Sequence, residues 1–540
     1  MRIMRTLSVG LAAMAFSAFV HADFDGPAPL AWRWIQPTSS SPLGKPVVQE
    51  GVVYVAVGQR MYALDKETGN QKWKFPLVDP IEGNFKSTVL LVDGLAIAAA
   101  DNKTLYAVDA KTGESKWTYI APAPIYREPT ITGKQITFGM TDNTITSIKI
   151  ADGQPAWNAP IKVYDGFLGR VASYRDDFLY FTNAYDMVSL KTTTLKANWT
   201  KRFTALSPDV EPVVAGDTVY VNSSTYVIGL NAPGGRKVFE ANSNDRLAFA
   251  PASNGEAIAA VTADGKVYLF KNNGLPVVRK EIDLGSQAAA SPAPAGNFFA
   301  IPTRNGAINL VNARTGDIVW SYLIRPIGDV SSSSSSQSGP GGGRGQGPGG
   351  AGGIGGGQSN TPTTKVLAVP AAGPAVVDGN TLMILGLDGS LLAFDKQLGV
   401  DLTPPSVEQL WPSAGDVISG QPPLEFIFRI EDEASGIDNK TLKIDIDGQE
   451  MDYEFGRDGI AVVRISSLSK KNKPLSNGRK TVTVTVADWL GNVNKATFQV
   501  VIDNSLRPLV RPTGNDNNNN GGRGGPGGGR GGFGGGGDGR

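Results

Sequence analysis

One phrase recurs along this chain. Met61–Phe75 reads MYALDKETGNQKWKF, and it returns as LYAVDAKTGESKWTY over Leu105–Tyr119 and as INLVNARTGDIVWSY over Ile308–Tyr322. Setting the turn of each copy in register gives anchors at Asp65, Asp109, Lys149, Lys191, Asn231, Lys271, Asn312 and Asp395, with steps of 44, 40, 42, 40, 40, 41 and 83. A period near 40, with strand-like alternation and turn residues, describes a propeller blade of four short strands, so eight anchors predict an all-β, eight-bladed β-propeller over residues 29–402. The doubled step has a visible cause, a Gly/Ser-rich insertion at 329–362 between blades seven and eight.

Each unit parses the same way. Pro46–Val57 gives an inner strand, a turn and a second strand; RMYALD is the third strand, KETG the turn and QKWKF the outermost strand. Asp65 and Asp109 can bond turn amides, and Gly69, Gly113 and Gly316 supply the positive φ that such turns require. Trp73, Trp117, Trp157, Trp199 and Trp320 recur at blade spacing, which assigns them to packing between blades rather than to an aromatic binding site. The eighth unit lacks its W-x-aromatic strand, whereas Trp32 and Trp34 in AWRWI carry that pattern near the start of the chain. Residues 30–36 should therefore pair with residues 390–396 and close the ring, removing a free sheet edge.

Composition removes whole classes of chemistry. Cysteine is absent and the one histidine is His21, so a Ser-His-Asp or Cys-His nucleophile and the usual zinc sites are excluded beyond that position. Lys plus Arg number 51 against 50 Asp plus Glu, which leaves no bulk field to attract nucleic acid. The start of the chain reads as an export signal over residues 1–22: MRIMR, then the apolar LSVGLAAMAFSAFV, then Val20, His21 and Ala22 before the cut. Its rival is an uncleaved anchor. No later apolar run approaches bilayer length, and export places the protein in the periplasm, on the cell surface or outside the cell.

After Pro404 the pattern becomes alternating strands over residues 404–504, as in an antiparallel sandwich, with Val482, Val484 and Val486 expected on one face. DEASGID at Asp432 and DWLGN at Asp488 resemble the turns of bacterial Ig-like domains. Asp432, Glu433 and Asp488 could ligate Ca²⁺, although forming turns is the simpler role for such carboxylates. Residues 505–540, rich in Gly and Arg, lack the means to bury a core and read as a disordered tether. Strand direction would send the insertion and the sandwich out of opposite propeller faces. The insertion's face collects Phe85, Tyr126, Arg127, Phe167, Arg170 and Phe249, a candidate partner-binding face whose alternative is a set of half-buried loop aromatics.

The Y-A-L-D-x-x-T-G-x-x-x-W pattern resembles the PQQ-like β-propeller repeat, shared by quinoprotein dehydrogenases and by non-enzymatic relatives such as the BamB component of outer-membrane β-barrel assembly. The resemblance implies an eight-bladed PQQ-like propeller, and the turns at Asp432 and Asp488 imply an Ig-like sandwich after it. Its main functional expectation is an exported, non-catalytic scaffold without cofactor, binding an envelope protein or polysaccharide through one propeller face. Two alternatives accompany it: a divergent PQQ-dependent dehydrogenase holding PQQ and Ca²⁺ over the funnel, and a BamB-like part in outer-membrane protein assembly. The adjacent cysteines common in the dehydrogenases are missing, as is the lipid-attachment cysteine of bacterial BamB proteins.

Overall fold

The computed structural model describes residues 24–163, 168–182, 185–206, 210–326, 368–456 and 458–509; the leader at 1–22, the insertion at 329–362 and the tail beyond 509 lie outside these. Within residues 30–394 the described chain forms eight four-stranded antiparallel sheets. The first is typical: Val47–Gln49, Val52–Val57, Arg60–Asp65 and Gln71–Phe75 follow one another as neighbours. At every anchor the backbone oxygen accepts the amide that closes the turn. Asp65 takes Gly69 at 2.9 Å and Asp109 takes Gly113 at 2.8 Å, and at Lys191 the donor is Leu195, a non-glycine held at φ 57°.

Only the eighth sheet departs from sequence order. Val376–Asp378, Thr381–Leu385 and Ser390–Phe394 are completed by Leu30–Ile35, antiparallel, with Trp34 opposite Leu391 and Ile35 opposite Ser390. Eight clusters of buried side chains then join each sheet to the next, and the cluster of Val53, Leu64, Met383 and Leu391 joins the eighth to the first. The ring is closed by packing as well as by pairing.

The repeated Trp and Gly residues form one lock. Trp32, Trp73, Trp117, Trp157 and Trp199 each donate Nε1–H to the carbonyl of the residue just after the next sheet's anchor: Lys66, Ala110, Ile150, Thr192 and Ala232, at 2.8–3.1 Å. For all but Trp157, whose next turn holds Leu195, the indole lies against the next turn's glycine. A Cβ added at Gly69, Gly113, Gly153 or Gly235 would come within 2.6–2.8 Å of that ring, and φ there is between +65° and +76°. Glycine is thus required twice, for the turn and for the close approach. Gly316 serves the same turn in the seventh sheet, where Val278 and Ile282 replace the indole.

Residues 406–502 form two further sheets. One contains Ser406–Trp411, Leu424–Glu431, Ile460–Ile465 and Glu454–Phe455; the other has five strands, including Ile437–Ile446, Gly478–Asp488 and Val493–Ile502. Val482, Val484 and Val486 are fully buried between them with Phe426, Phe428 and Ile444. The expected face of the insertion lies outside the described residues. The sandwich lies against the outer strands of the seventh and eighth sheets, where its Ser435 and Ala434 carbonyls accept Trp320 Nε1–H and the Leu30 amide and Glu431 pairs with Arg325 at 2.5 Å. The reason is that the Trp320 and Tyr322 side chains and the Leu30 amide are donors that the sandwich satisfies.

Candidate functional site

The first strands of successive sheets surround the ring axis, and the segments leading into them wall a cavity of about 410 Å³. Seven of the eight sheets contribute to the wall, among them Gly44 and Lys45, Lys86 and Thr88, Ile125 and Glu128, Ala289 to Ser291, and Ala372 to Pro374. The corresponding residues of the fourth sheet, 164–167, lie outside the described chain. Small side chains dominate because eight strands converge here. A Cβ on Gly373 would stand 2.4 Å from the carbonyl oxygen of Gly44.

The polar groups of the wall bind one another across sheets. Glu128 Oε1 accepts the Thr88 amide at 3.2 Å and the Thr88 hydroxyl at 2.9 Å, tying the third sheet to the second. Lys86 Nζ donates to Ser40 Oγ at 2.8 Å. Lys45 and Leu43 are exposed at the mouth, and half-buried Phe249 supplies the aromatic part of the lining.

The expected partner face divides on inspection. Phe249 lines the cavity, and its carbonyl accepts Asn222 Nδ2–H at 2.7 Å. Tyr126 is half-buried against the cluster of Trp157 and Phe178. Phe85 is no part of an exposed face: it is 1% exposed, edge-on to Tyr106 at 5.6 Å, because its backbone is drawn into the first and second sheets by bonds to Gly58 and a bridge to Ala100. Phe167 and the side chains of Arg127 and Arg170 lie outside the described residues. Lys45, Lys86, Glu128 and Glu211 were missed by the sequence reading. Their shared signal is a charged residue in or within a few positions of the first strand of the first, second, third and fifth sheets, a spacing without a motif of its own.

A second polar cluster sits where propeller and sandwich meet. One carboxylate oxygen from each of Asp401, Asp432 and Asp488 lies within 4.8 Å of the others, a spacing that could hold a metal ion. Each also shapes a turn: Asp432 Oδ1 accepts the amides of Ala434, Ser435 and Gly436, and Asp488 Oδ1 those of Leu490 and Asn492. Glu433 is not part of the cluster. Burial, with Asp401 and Asp488 as like-charged neighbours, holds the Asp432 carboxyl above the usual carboxylate range against the pull of its amide bonds. At Asp401 burial acts upward too, but hydrogen bonds donated by Ser435 and by the Thr403 amide and hydroxyl outweigh it and hold the carboxyl low.

These shifts have opposite signs in stability. The Asp432 contribution is fully present in acid, below the unfolded carboxylate pKa, and is lost as pH rises through its raised folded value; the Asp401 contribution is present above the unfolded value and lost as pH falls. Asp432→Asn keeps the Oδ1 acceptor and removes the charge. It should stabilise the protein by about 0.5–1 kcal/mol at neutral pH, discounted for partial solvent access, and by nothing near pH 3. Chemical denaturation at both pH values in EDTA measures this, and a variant less stable at neutral pH would refute the assignment.

No helix among the described residues is long and apolar enough to cross a membrane. A family model described as outer membrane protein assembly factor BamB matches residues 29–230 and 223–344, together more than half of the chain. No curated protein matches. Similar solved structures include BamB from Moraxella catarrhalis, 16% identical over 68% of this chain and 97% of that one, with a TM-score of 0.48. A europium-containing methanol dehydrogenase is 11% identical over 71% and 85%, with a TM-score of 0.46. Sqt1 of Saccharomyces cerevisiae is 12% identical over 68% and 99%, with a TM-score of 0.47.

Proposed function

Because the chain belongs to the PQQ-like β-propeller family described as outer membrane protein assembly factor BamB, we propose that it is an exported, non-catalytic scaffold of the cell envelope whose funnel mouth docks a protein partner. The observation that carries this reading is the funnel wall. Its Glu128 and Lys86 are tied to neighbouring sheets, and the rest is largely Ala, Gly, Ser and Pro with an apolar rim of Leu43, Ile125 and Phe249. Such a mouth suits a protruding partner loop, which can bury side chains against the rim and meet exposed Lys45. The leader expected at residues 1–22 supports an envelope location.

The described lining does not fit the alternative of PQQ with Ca²⁺. A planar quinone calls for a flat aromatic floor and a hard cation for converging oxygen donors, yet the lining contains no Trp, Asn or Arg and one of its two carboxylates is held by Thr88. An envelope role in assembling outer-membrane proteins, as the family description suggests, is one form of the scaffold reading. Immobilised full-length protein should retain specific proteins from detergent-solubilised envelopes, and Lys45→Glu/Phe249→Ala should reduce that retention at least tenfold. Equal retention by the variant would overturn the reading, as would dye reduction that depends on added PQQ and Ca²⁺.

A further inference from the structure

Trp320 is the exception to the lock that joins the sheets. Its five counterparts donate to the turn of the following sheet, whereas Trp320 Nε1–H donates at 2.9 Å to the carbonyl of Ser435 in the sandwich. The turn of residues 432–436 is built to receive it. Its amides point inward to Asp432 Oδ1, which leaves three consecutive carbonyls facing the propeller. Glu433 takes the Tyr322 hydroxyl at 2.7 Å, Ala434 takes the Leu30 amide at 2.7 Å and Ser435 takes Trp320. Burial pushes the Tyr322 hydroxyl well above the ordinary phenol range, so it remains a donor at any working pH.

Those three donors straddle one seam. Trp320 and Tyr322 belong to the outer strand of the seventh sheet, and Leu30 opens the strand that closes the eighth. Charged groups extend the contact in the same direction: Arg33 reaches the carbonyl of Arg325 at 2.7 Å and Asp388 at 3.6 Å, and Arg325 meets Glu431. On the other side, Asp401 Oδ2 accepts the Ser435 hydroxyl at 2.6 Å, tying the turn to the segment that leaves the eighth sheet.

We infer that the sandwich is the latch of the propeller: its 432–436 turn replaces a blade turn at the seventh seam and holds the closing strand Leu30–Ile35, so that the sandwich releases and the ring opens in one cooperative step. The inference is independent of the partner. It is tested on the full chain by hydrogen exchange of Leu30–Ile35 and of residues 433–436, comparing Trp320→Phe/Tyr322→Phe with the unaltered protein. An aromatic ring stays at each position and both donors go, with Trp320→Phe also losing part of a buried ring. Exchange in the two segments should rise together by about tenfold or more, the effect of two lost buried hydrogen bonds and of the smaller ring at position 320. Trp117→Phe, which removes the matching donor at the second seam, should leave both unchanged. If 433–436 speeds up while Leu30–Ile35 stays protected, or if Trp117→Phe loosens the closing strand equally, the sandwich is no latch. Should the double variant not fold, Trp320→Phe alone gives the same comparison with about a fivefold rise.

Discussion

Protein lacking residues 23–36 should melt about 7 °C below the intact chain. That segment supplies the fourth strand of the eighth sheet, and its loss leaves Ser390–Phe394 as an open edge beside the first sheet. It also removes Trp32, which donates to Lys66 and covers Gly69, and Trp34, edge-on to Tyr62 at 4.9 Å. A truncated core aromatic costs about 3–5 kcal/mol. Both indoles are half-exposed, so about 5 kcal/mol for the pair with their strand is a moderate figure, and at about 2 cal/mol/K of unfolding entropy per residue a propeller of this length shifts its midpoint by about 1.4 °C per kcal/mol. Thermal unfolding followed by circular dichroism measures this, and an unchanged transition would mean that the ring does not depend on its first strand.

Gly265→Ala should disturb stability and binding together. Gly265 has φ +92°, and a Cβ there would stand 1.9 Å from the backbone oxygen of Ser286, with no flexible side chain to yield. The positive φ costs roughly 1–2 kcal/mol. The clash adds more, because the chain at Ser286 must move, for a total of about 3 kcal/mol or above. Ala289 to Ser291 line the cavity only a few residues further on, and the Ala289 amide is held by the Pro302 carbonyl, so the displacement passes into the funnel wall. Envelope-protein retention should fall with stability. Gly255→Ala is the control: φ is +88° but the space around it is open, so only the backbone cost of roughly 1–2 kcal/mol remains and retention should persist. Similar losses in the two variants would show that the Ser286 contact does not govern the wall.

Much of the propeller is legible in the chain because each sheet asks for the same local answer. The residues that turn the chain after Asp65 and stack on it from Trp32 are needed again at Asp109 and Trp73, and repetition leaves a record at fixed spacing. The closing strand was legible for the same reason, as a unit missing at one end and present at the other. The candidate site was not. Glu128 bonds Thr88 from 40 residues away, and nothing in either local stretch distinguishes that bond from a solvated carboxylate. Phe85 misled because an aromatic beside a short inner strand can face the axis or the neighbouring sheet, and only the packing against Tyr106 decides.

What the sequence determined on its own was the periodic part: strand, turn, glycine and indole, each dictated within some forty residues by backbone geometry and burial. What only the tertiary structure decided was where the periodicity breaks. Trp320 has the same local setting as Trp73, yet its partner is Ser435, 115 residues on, because the sandwich folds back along the rim and offers a carbonyl there. Hydrogen-bond donors at a seam bind whichever acceptor the assembled chain brings within 3 Å, and that choice depends on the packing of whole domains rather than on neighbouring residues.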